Sequence, residues 1–446
     1  MASFKPDPAG TKFGPLWFMP GIRGIDAGAL LLMVITNISM ITLFMFVQPY
    51  LLTEILHIPQ ERQGALTGNL ASVQEIVLLL LMGFIGAMAD SAGRRKLAAI
   101  GFAAIAAGFF LYPLAISEGQ LYLYRLIFGL GVAIVPVVTT ASVVSYIQDV
   151  SRGKWSSVVS ICNSVGIIFV AIVLSKMPLW LVNEGVDAGL AGRYTYWTGA
   201  TICLLVVPFA YFRLRDSGFK ALVIGENILQ RVLKGLRVAR NNPRIPLAYT
   251  AGIIGRGDLV VISSFLSLWI VQAGEPAGIT TGQGLARAGM VFAAIQTSAL
   301  LWAPIIGIIV DRVHRVTALA LAMGIAACGY LMMGQVADPY NNSIFIVAIV
   351  VGIGENSVLI AALALLGQEA PKRMHGTIVG MFLLMGSLGV ILASWVGGQL
   401  FDHWSKTGPF TLMGALNALA LIWAIVVRLR TPQAVFRDDL PDSSDS

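Results

Sequence analysis

Apolar residues run along this chain in long uninterrupted stretches and do not alternate with polar ones. Residues 76–89 and 97–115 contain no charged residue at all, and comparable runs recur as far as residue 427. A bilayer core needs about 20 apolar residues per helix, and within it only helices or closed barrels satisfy their own backbone. Barrel strands would show a period of two, which these runs lack. The pattern therefore predicts an all-α, polytopic membrane protein with twelve transmembrane helices. In the first half they fall at roughly 27–52, 64–89, 97–115, 119–147, 155–183 and 194–213. In the second half they fall at roughly 245–273, 284–310, 316–335, 342–367, 376–401 and 408–429. The opening stretch, MASFKPDPAGTKFGP, has proline and charge but no apolar core beside a cleavage site. No removable signal is expected, and the first span acts as the insertion signal.

Composition sharpens this reading. Hydrophobic residues make up 57% of the 446 positions and charged residues 12%, against about 25% charged in soluble domains. With the N-terminus inside, 23 of the 30 Lys and Arg residues face the cytoplasm. Arg62, Lys176, Arg193, Arg287 and Lys406 fall outside, and Arg125 and Arg256 lie within spans. That asymmetry predicts a cell-membrane protein with both termini cytoplasmic. Basic loops facing anionic lipid account for the +7 net charge without any nucleic-acid partner. Cys162, Cys203 and Cys328 lie in separate spans and read as packing residues.

Polar segments divide the chain into a cytoplasmic tail (1–26), a six-helix bundle (27–213), a linker (214–244), a second six-helix bundle (245–430) and a C-terminal tail (431–446). In the linker, Leu222, Ile228, Leu229, Val232, Leu233 and Leu236 recur at helical spacing, with Arg231, Lys234 and Arg237 on other faces. This predicts a basic amphipathic helix on the inner membrane surface, either a tether or a regulatory element. No phosphate-binding G-x-x-x-x-G-K-[ST] and no H-E-x-x-H occurs, and His57, His314, His375 and His403 all fall in predicted loops. Neither an enzyme nor a bound cofactor or metal is expected.

One charged stretch stands apart. GAMADSAGRRK, residues 86–96, joins the second and third spans, and a degraded copy, GIIVDRVHR at 307–315, joins the eighth and ninth. Asp149, Arg152 and Gly153 after the fourth span correspond to Glu369, Arg373 and Gly376 after the tenth. Such repetition is the trace of a transporter built from two related bundles. The first stretch resembles the G-x-x-x-D-[RK]-x-G-[RK]-[RK] signature of the major facilitator superfamily, and the resemblance covers all twelve spans. It implies two pseudo-symmetric six-helix bundles that rock around a midplane site lined by helices 1, 4, 7 and 10. It also implies a conformational latch at Gly86, Asp90, Gly93, Arg94 and Arg95, with second-copy counterparts Asp311, Arg312 and Arg315. Ser91 stands where a basic residue is usual, and His314 replaces the second-copy glycine. A weaker second latch or a different backbone turn is therefore expected. YRLIFGLG (124–131) resembles the R-x-x-x-G-x-G pattern of proton-coupled members. The antiporter signature of helix 5 is missing, and residues 160–168 offer only Gly166.

Ionisable residues inside spans default to functional roles. They are Glu75, Arg125, Arg256, Asp258 and Glu355. Arg125 is read as lining the rim of the central cavity or as snorkelling to the outer interface. Arg256 and Asp258, two apart and about 200° around a helix, should not pair; Glu355 is the expected partner of Arg256, and a static buried pair remains an alternative. Two glycines in GRGD (255–258) suggest a break or kink in helix 7. Three acids facing two arginines leave one carboxylate without a counter-ion, and such a group tends to take a proton. Glu75, Asp258 and Glu355 are thus proton-coupling candidates. Gln48, Asn163, Gln296 and Asn356 join Arg125 and Arg256 as substrate-binding candidates, with Gln74 as a further neutral hydrogen-bonding group; any of these amides could also be interhelical glue. The expected protein is a monomeric secondary transporter in the lipid bilayer, moving a small molecule with protons. The apolar lining favours export of a hydrophobic or amphipathic compound. The arginines fit an alternative, symport or facilitated passage of an organic anion, and a non-transporting sensor or scaffold is a third class.

Overall fold

The computed structural model describes residues 9–91, 93–215, 242–370 and 375–431. Twelve helices in it are long and apolar enough to cross a membrane. In the first half they are α1 (Gly24–Ile55), α2 (Gln60–Ser91), α3 (Arg94–Leu114), α4 (Glu118–Ser145), α5 (Asp149–Asn183) and α6 (Ala188–Arg213). In the second half they are α7 (Arg244–Ala277), α8 (Thr281–Arg312), α9 (Arg315–Gly334), α10 (Ile344–Glu369), α11 (His375–His403) and α12 (Gly408–Arg430). The amphipathic helix expected between the halves, at residues 222–237, lies outside the described residues.

The packing repeats between the halves. In the first lobe α3 packs on α4 and α6, α2 on α4, and α1 on α5. In the second α9 packs on α10 and α12, α8 on α10, and α7 on α11. The lobes meet chiefly through α2 on α11 and α5 on α8, which are the same pair of positions taken in opposite order. Small residues set these crossings. A Cβ on Gly68 of α2 would stand 2.1 Å from the Ser394 carbonyl oxygen of α11. One on Gly289 of α8 would stand 2.1 Å from the Ala171 oxygen of α5.

Two expectations change. The all-α reading is joined by a small sheet in the first tail, where β1 (Thr11–Phe13) and β2 (Leu16–Phe18) form an antiparallel hairpin. Leu16 and Phe18 alternate with Trp17, so one face of β2 is buried. The Trp17 amide donates to Ser151 Oγ at 3.0 Å, and the Gln148 amide donates to the Trp17 carbonyl at 3.0 Å. Phe18 meets Trp155 edge-on, with ring centroids 5.4 Å apart. The hairpin thus straps the α4–α5 loop. The second change is in α7, which runs as one helix from Arg244 to Gly274 without a break. Its glycines serve close packing instead: Cβ atoms on Gly255 and Gly257 would lie 2.9 Å from Leu359 Cδ2 and 3.0 Å from Met413 Cε.

Candidate functional site

Among the described residues one ion pair crosses between the lobes at mid-depth. Arg256 of α7 points toward α2, its guanidinium 4.0 Å from Glu75 Oε1. The Arg256 side chain is 43% exposed and that of Glu75 8% exposed. The Arg256 stem packs against Gly386 of α11, where a larger side chain would push it aside. Glu75 Oε1 has no hydrogen-bond partner, so the pair is loose and its cation remains open to a further ligand. The expected Arg256–Glu355 pair is not formed. A linear sequence shows that Arg256 and Asp258 diverge, but not which neighbouring helix each side chain meets.

Asp258 leaves the other side of α7 and is buried inside the second lobe. Asn417 Nδ2 of α12 donates to both its carboxylate oxygens, at 3.2 and 3.1 Å. Glu355 of α10 is buried close enough for its charge to act on Asp258. The Tyr330 hydroxyl of α9 lies beside Glu355, without a well-aligned hydrogen bond. Among the described residues neither acid has an ion-pair partner.

Arg125 neither lines the cavity rim nor snorkels. It is 1% exposed, enclosed in the first lobe. Its guanidinium donates to Gln48 Oε1 at 3.0 Å and lies 5.0 and 5.9 Å from the ring centres of Phe44 and Phe128. The same Gln48 oxygen accepts from Tyr112, and Gln48 Nε2 donates to Thr67. Aromatic faces and a carbonyl solvate this cation without an acid. Gln48, a substrate-binding candidate, is therefore committed to the lobe core. Asn356 is likewise committed, donating to the Ala299 carbonyl of α8 at 2.9 Å. Asn163 and Gln296 are half-buried.

The lobes are closed at the end away from the basic loops. There the Asp402 carboxylate of α11 accepts from the Gly64 and Ala65 amides of α2, at 2.9 and 2.6 Å. Gln272 donates to Gln63 at 3.0 Å, and Thr281 donates to Glu54 at 2.5 Å. A cavity of about 260 Å³ lies behind these contacts, lined by Glu54, Gln60, Gln272, Glu275 and Thr281 among others. None of these residues was singled out from sequence. Asp402 and Glu54 sit near helix ends, where an acid looks like ordinary loop chemistry.

At the basic end, Gly93 takes φ +87° before α3, and Arg94 donates to Ser145 Oγ at 2.7 Å and to the Ala141 carbonyl at 3.4 Å. In the second copy Arg315 donates to the Ala364 carbonyl at 3.0 Å. Each arginine thus bonds to the next helix of its own lobe, α3 to α4 and α9 to α10. His314 keeps a negative φ and caps α9, its Nδ1 accepting from the Val316 amide. The two turns therefore differ in backbone as well as in residue. Asp311 and Arg312 are exposed, and Arg95 is half-buried. The surroundings of Gly86 and Asp90 side by side with these arginines lie outside the described residues. A buried pair that the sequence did not reveal stands nearby: Arg244 Nη1 and Glu369 Oε1 are 2.6 Å apart, at 0% and 1% exposure. Asn242 also donates to Glu369, and Arg244 to the Thr431 carbonyl.

Two pseudo-symmetric six-helix lobes, with the lobe-to-lobe contacts formed at one end, define the architecture of an alternating carrier. The chain matches the Major Facilitator Superfamily over residues 30–383 and 259–442, and it belongs to that family of membrane transporters. The magnetosome protein MamH of Paramagnetospirillum magneticum is 26% identical over 415 residues, which span 90% of this chain and 92% of MamH. The nucleoside transporter NupG has the same fold, with a TM-score of 0.71, 14% identity and 91% and 99% of the two chains covered. So does a D-xylose–proton symporter, with a TM-score of 0.67, 17% identity and 90% and 96% covered. The family is one of carriers and not of enzymes.

Proposed function

We propose that this transporter moves a small organic anion together with protons, with Arg256 as the anion's partner and Glu75 as the proton-carrying group. The observation that carries this reading is the loose Arg256–Glu75 pair between the lobes. An anion entering between the lobes competes with Glu75 for the half-exposed guanidinium. Glu75 is then left as a buried carboxylate without a cation, an arrangement that costs several kcal/mol and is relieved by a proton. Substrate and proton thereby bind together. This geometry favours the anion over a purely hydrophobic cargo, which would leave Arg256 without a task. The 23-to-5 bias of basic residues supports placing both termini in the cytoplasm. With that orientation the present conformation is closed to the outside.

The test uses the full chain in proteoliposomes. Organic acids are first screened by thermal shift, and stabilising compounds are then followed as flux under an imposed pH gradient. Concentrative uptake should follow the gradient and collapse with a protonophore. Arg256→Ala should abolish it, whereas Glu75→Gln should retain binding and exchange but lose response to the gradient. Flux indifferent to pH, or cargo binding unchanged in Arg256→Ala, would sink the proposal.

A further inference from the structure

The closed end gathers acids without bringing a base to them. The cavity of about 260 Å³ between the lobe ends takes Glu54 from the end of α1, Gln272 and Glu275 from the end of α7, and Thr281 from the start of α8. The rest of its wall is threonine, glutamine and aliphatic side chains. Among the described residues no lysine, arginine, histidine, cysteine or aromatic side chain lines it. Glu275 is exposed and Glu54 half-buried, and among the described residues neither has an ion-pair partner.

Gln272 is an independent sign of a ligand. It is 6% exposed, and its neighbours fix which end of the amide is free. Its Nε2 donates to Gln63 Oε1 at 3.0 Å and to the Gln60 carbonyl at 3.4 Å. Gln63 cannot reverse that polarity, because its own Nε2 is committed to the Ile58 carbonyl at 2.8 Å and to Thr53 Oγ1 at 3.3 Å. Gln272 Oε1 is therefore the free end, and it is buried without a partner. Buried carbonyl oxygens are seldom left in that state. Thr281 gives its hydroxyl proton to Glu54, so its oxygen keeps lone pairs for another contact. Both lobes thus present the cavity with acceptor oxygens and negative charge.

We infer that this cavity binds a divalent cation of the size of Ca²⁺, held between Glu54 of the first lobe and Gln272, Glu275 and Thr281 of the second. Such an ion takes 6–8 oxygens from carboxylates, amide carbonyls and water in an adaptable shell. The four side chains supply part of that shell, and the cavity has room for the waters that complete it. Mg²⁺ demands a stricter octahedron. Transition metals favour the imidazole and thiolate ligands that this wall lacks, and an organic ammonium ion would favour an aromatic face. Two carboxylates, fewer than three acidic ligands, set a weak affinity of about 0.1–1 mM. Because the ligands come from both lobes, the ion binds the closed end and not the parted one, and it shifts the carrier toward closure there. The site shares no residue with the Arg256–Glu75 pair, so the two proposals stand or fall separately.

The purified full chain, first treated with chelator, is titrated at fixed pH and ionic strength with CaCl₂ from about 10 µM to 10 mM. Binding of radiolabelled Ca²⁺ is measured beside thermal melts, with MgCl₂ and tetramethylammonium chloride as controls. Ca²⁺ should bind one ion per chain and raise the melting temperature by about 1–2 °C at ten times its Kd. Spin labels at positions 61 and 403 should move toward the shorter distances. Glu275→Gln changes an exposed side chain, so it should keep the fold and raise the Kd at least about tenfold; Glu54→Gln should do the same. Glu75→Gln should bind Ca²⁺ as the parent does. Absence of saturable Ca²⁺ binding, undiminished binding in Glu275→Gln, an equal response to Mg²⁺ or tetramethylammonium, or an unchanged distance distribution on Ca²⁺ binding would each overturn the assignment.

Discussion

Gly68→Ala tests the closed end of the carrier with a single methyl group. In the present conformation that methyl would lie 2.1 Å from the Ser394 carbonyl oxygen, 3.0 Å from its carbonyl carbon and 3.3 Å from Gly398 Cα. All three are backbone atoms of α11 and cannot rotate away. Ordinary contact begins at 3.4 Å, so the oxygen must retreat by 3.4 − 2.1 = 1.3 Å. Overpacking of this kind costs about 1–3 kcal/mol. The cost falls on the conformation in which α2 and α11 touch and is absent once they part. A differential of that size shifts the ratio of the two states by about 5–150-fold. Spin labels on the exposed residues Glu61 and His403 report the separation of these helix ends through their distance distribution. The variant should populate longer distances and transport more slowly at the step that closes this end. An unchanged distribution together with an unchanged rate would show that α2 and α11 do not separate here, and the alternating scheme built on this crossing would be wrong.

Two further outcomes follow from the buried charges. Glu369→Ala strands the fully buried Arg244 and should cost about 3–5 kcal/mol in stability. The double change with Arg244→Met should recover part of that loss in thermal melts, and purely additive losses would remove the coupling. Arg125→Met deletes a buried cation that has no acid partner, so stability should stay within about 1 kcal/mol of the parent or rise. A loss above about 3 kcal/mol would show that the aromatic enclosure and Gln48 hold the lobe together through that charge.

The span count was legible because membrane helices announce themselves by uninterrupted apolar length, a property of each segment alone. The repeated loop stretches were legible for a related reason: the residues of each stretch are neighbours in the chain. The break expected at Gly255 and Gly257 did not form because glycine in a membrane helix has two meanings, backbone freedom and close approach. Only the neighbours, here Leu359 and Met413, decide between them.

Pairing was the least legible feature. The count of three acids to two arginines within the spans was available from sequence, and the divergence of Arg256 from Asp258 followed from helix geometry. Which neighbour each side chain meets depends on the rotation of every helix in the bundle, and a hydrophobic run with little amphipathic contrast carries almost no record of that rotation. Arg125 shows the consequence. Its position suggested the cavity rim, yet Phe44, Phe128 and Gln48 turn it into a solvated core cation. Once Arg125 is satisfied inside the first lobe, Arg256 is, among the described residues, the arginine at mid-depth left to face a ligand. Glu75 is then the acid that meets it, while Asp258 stays inside the second lobe on Asn417.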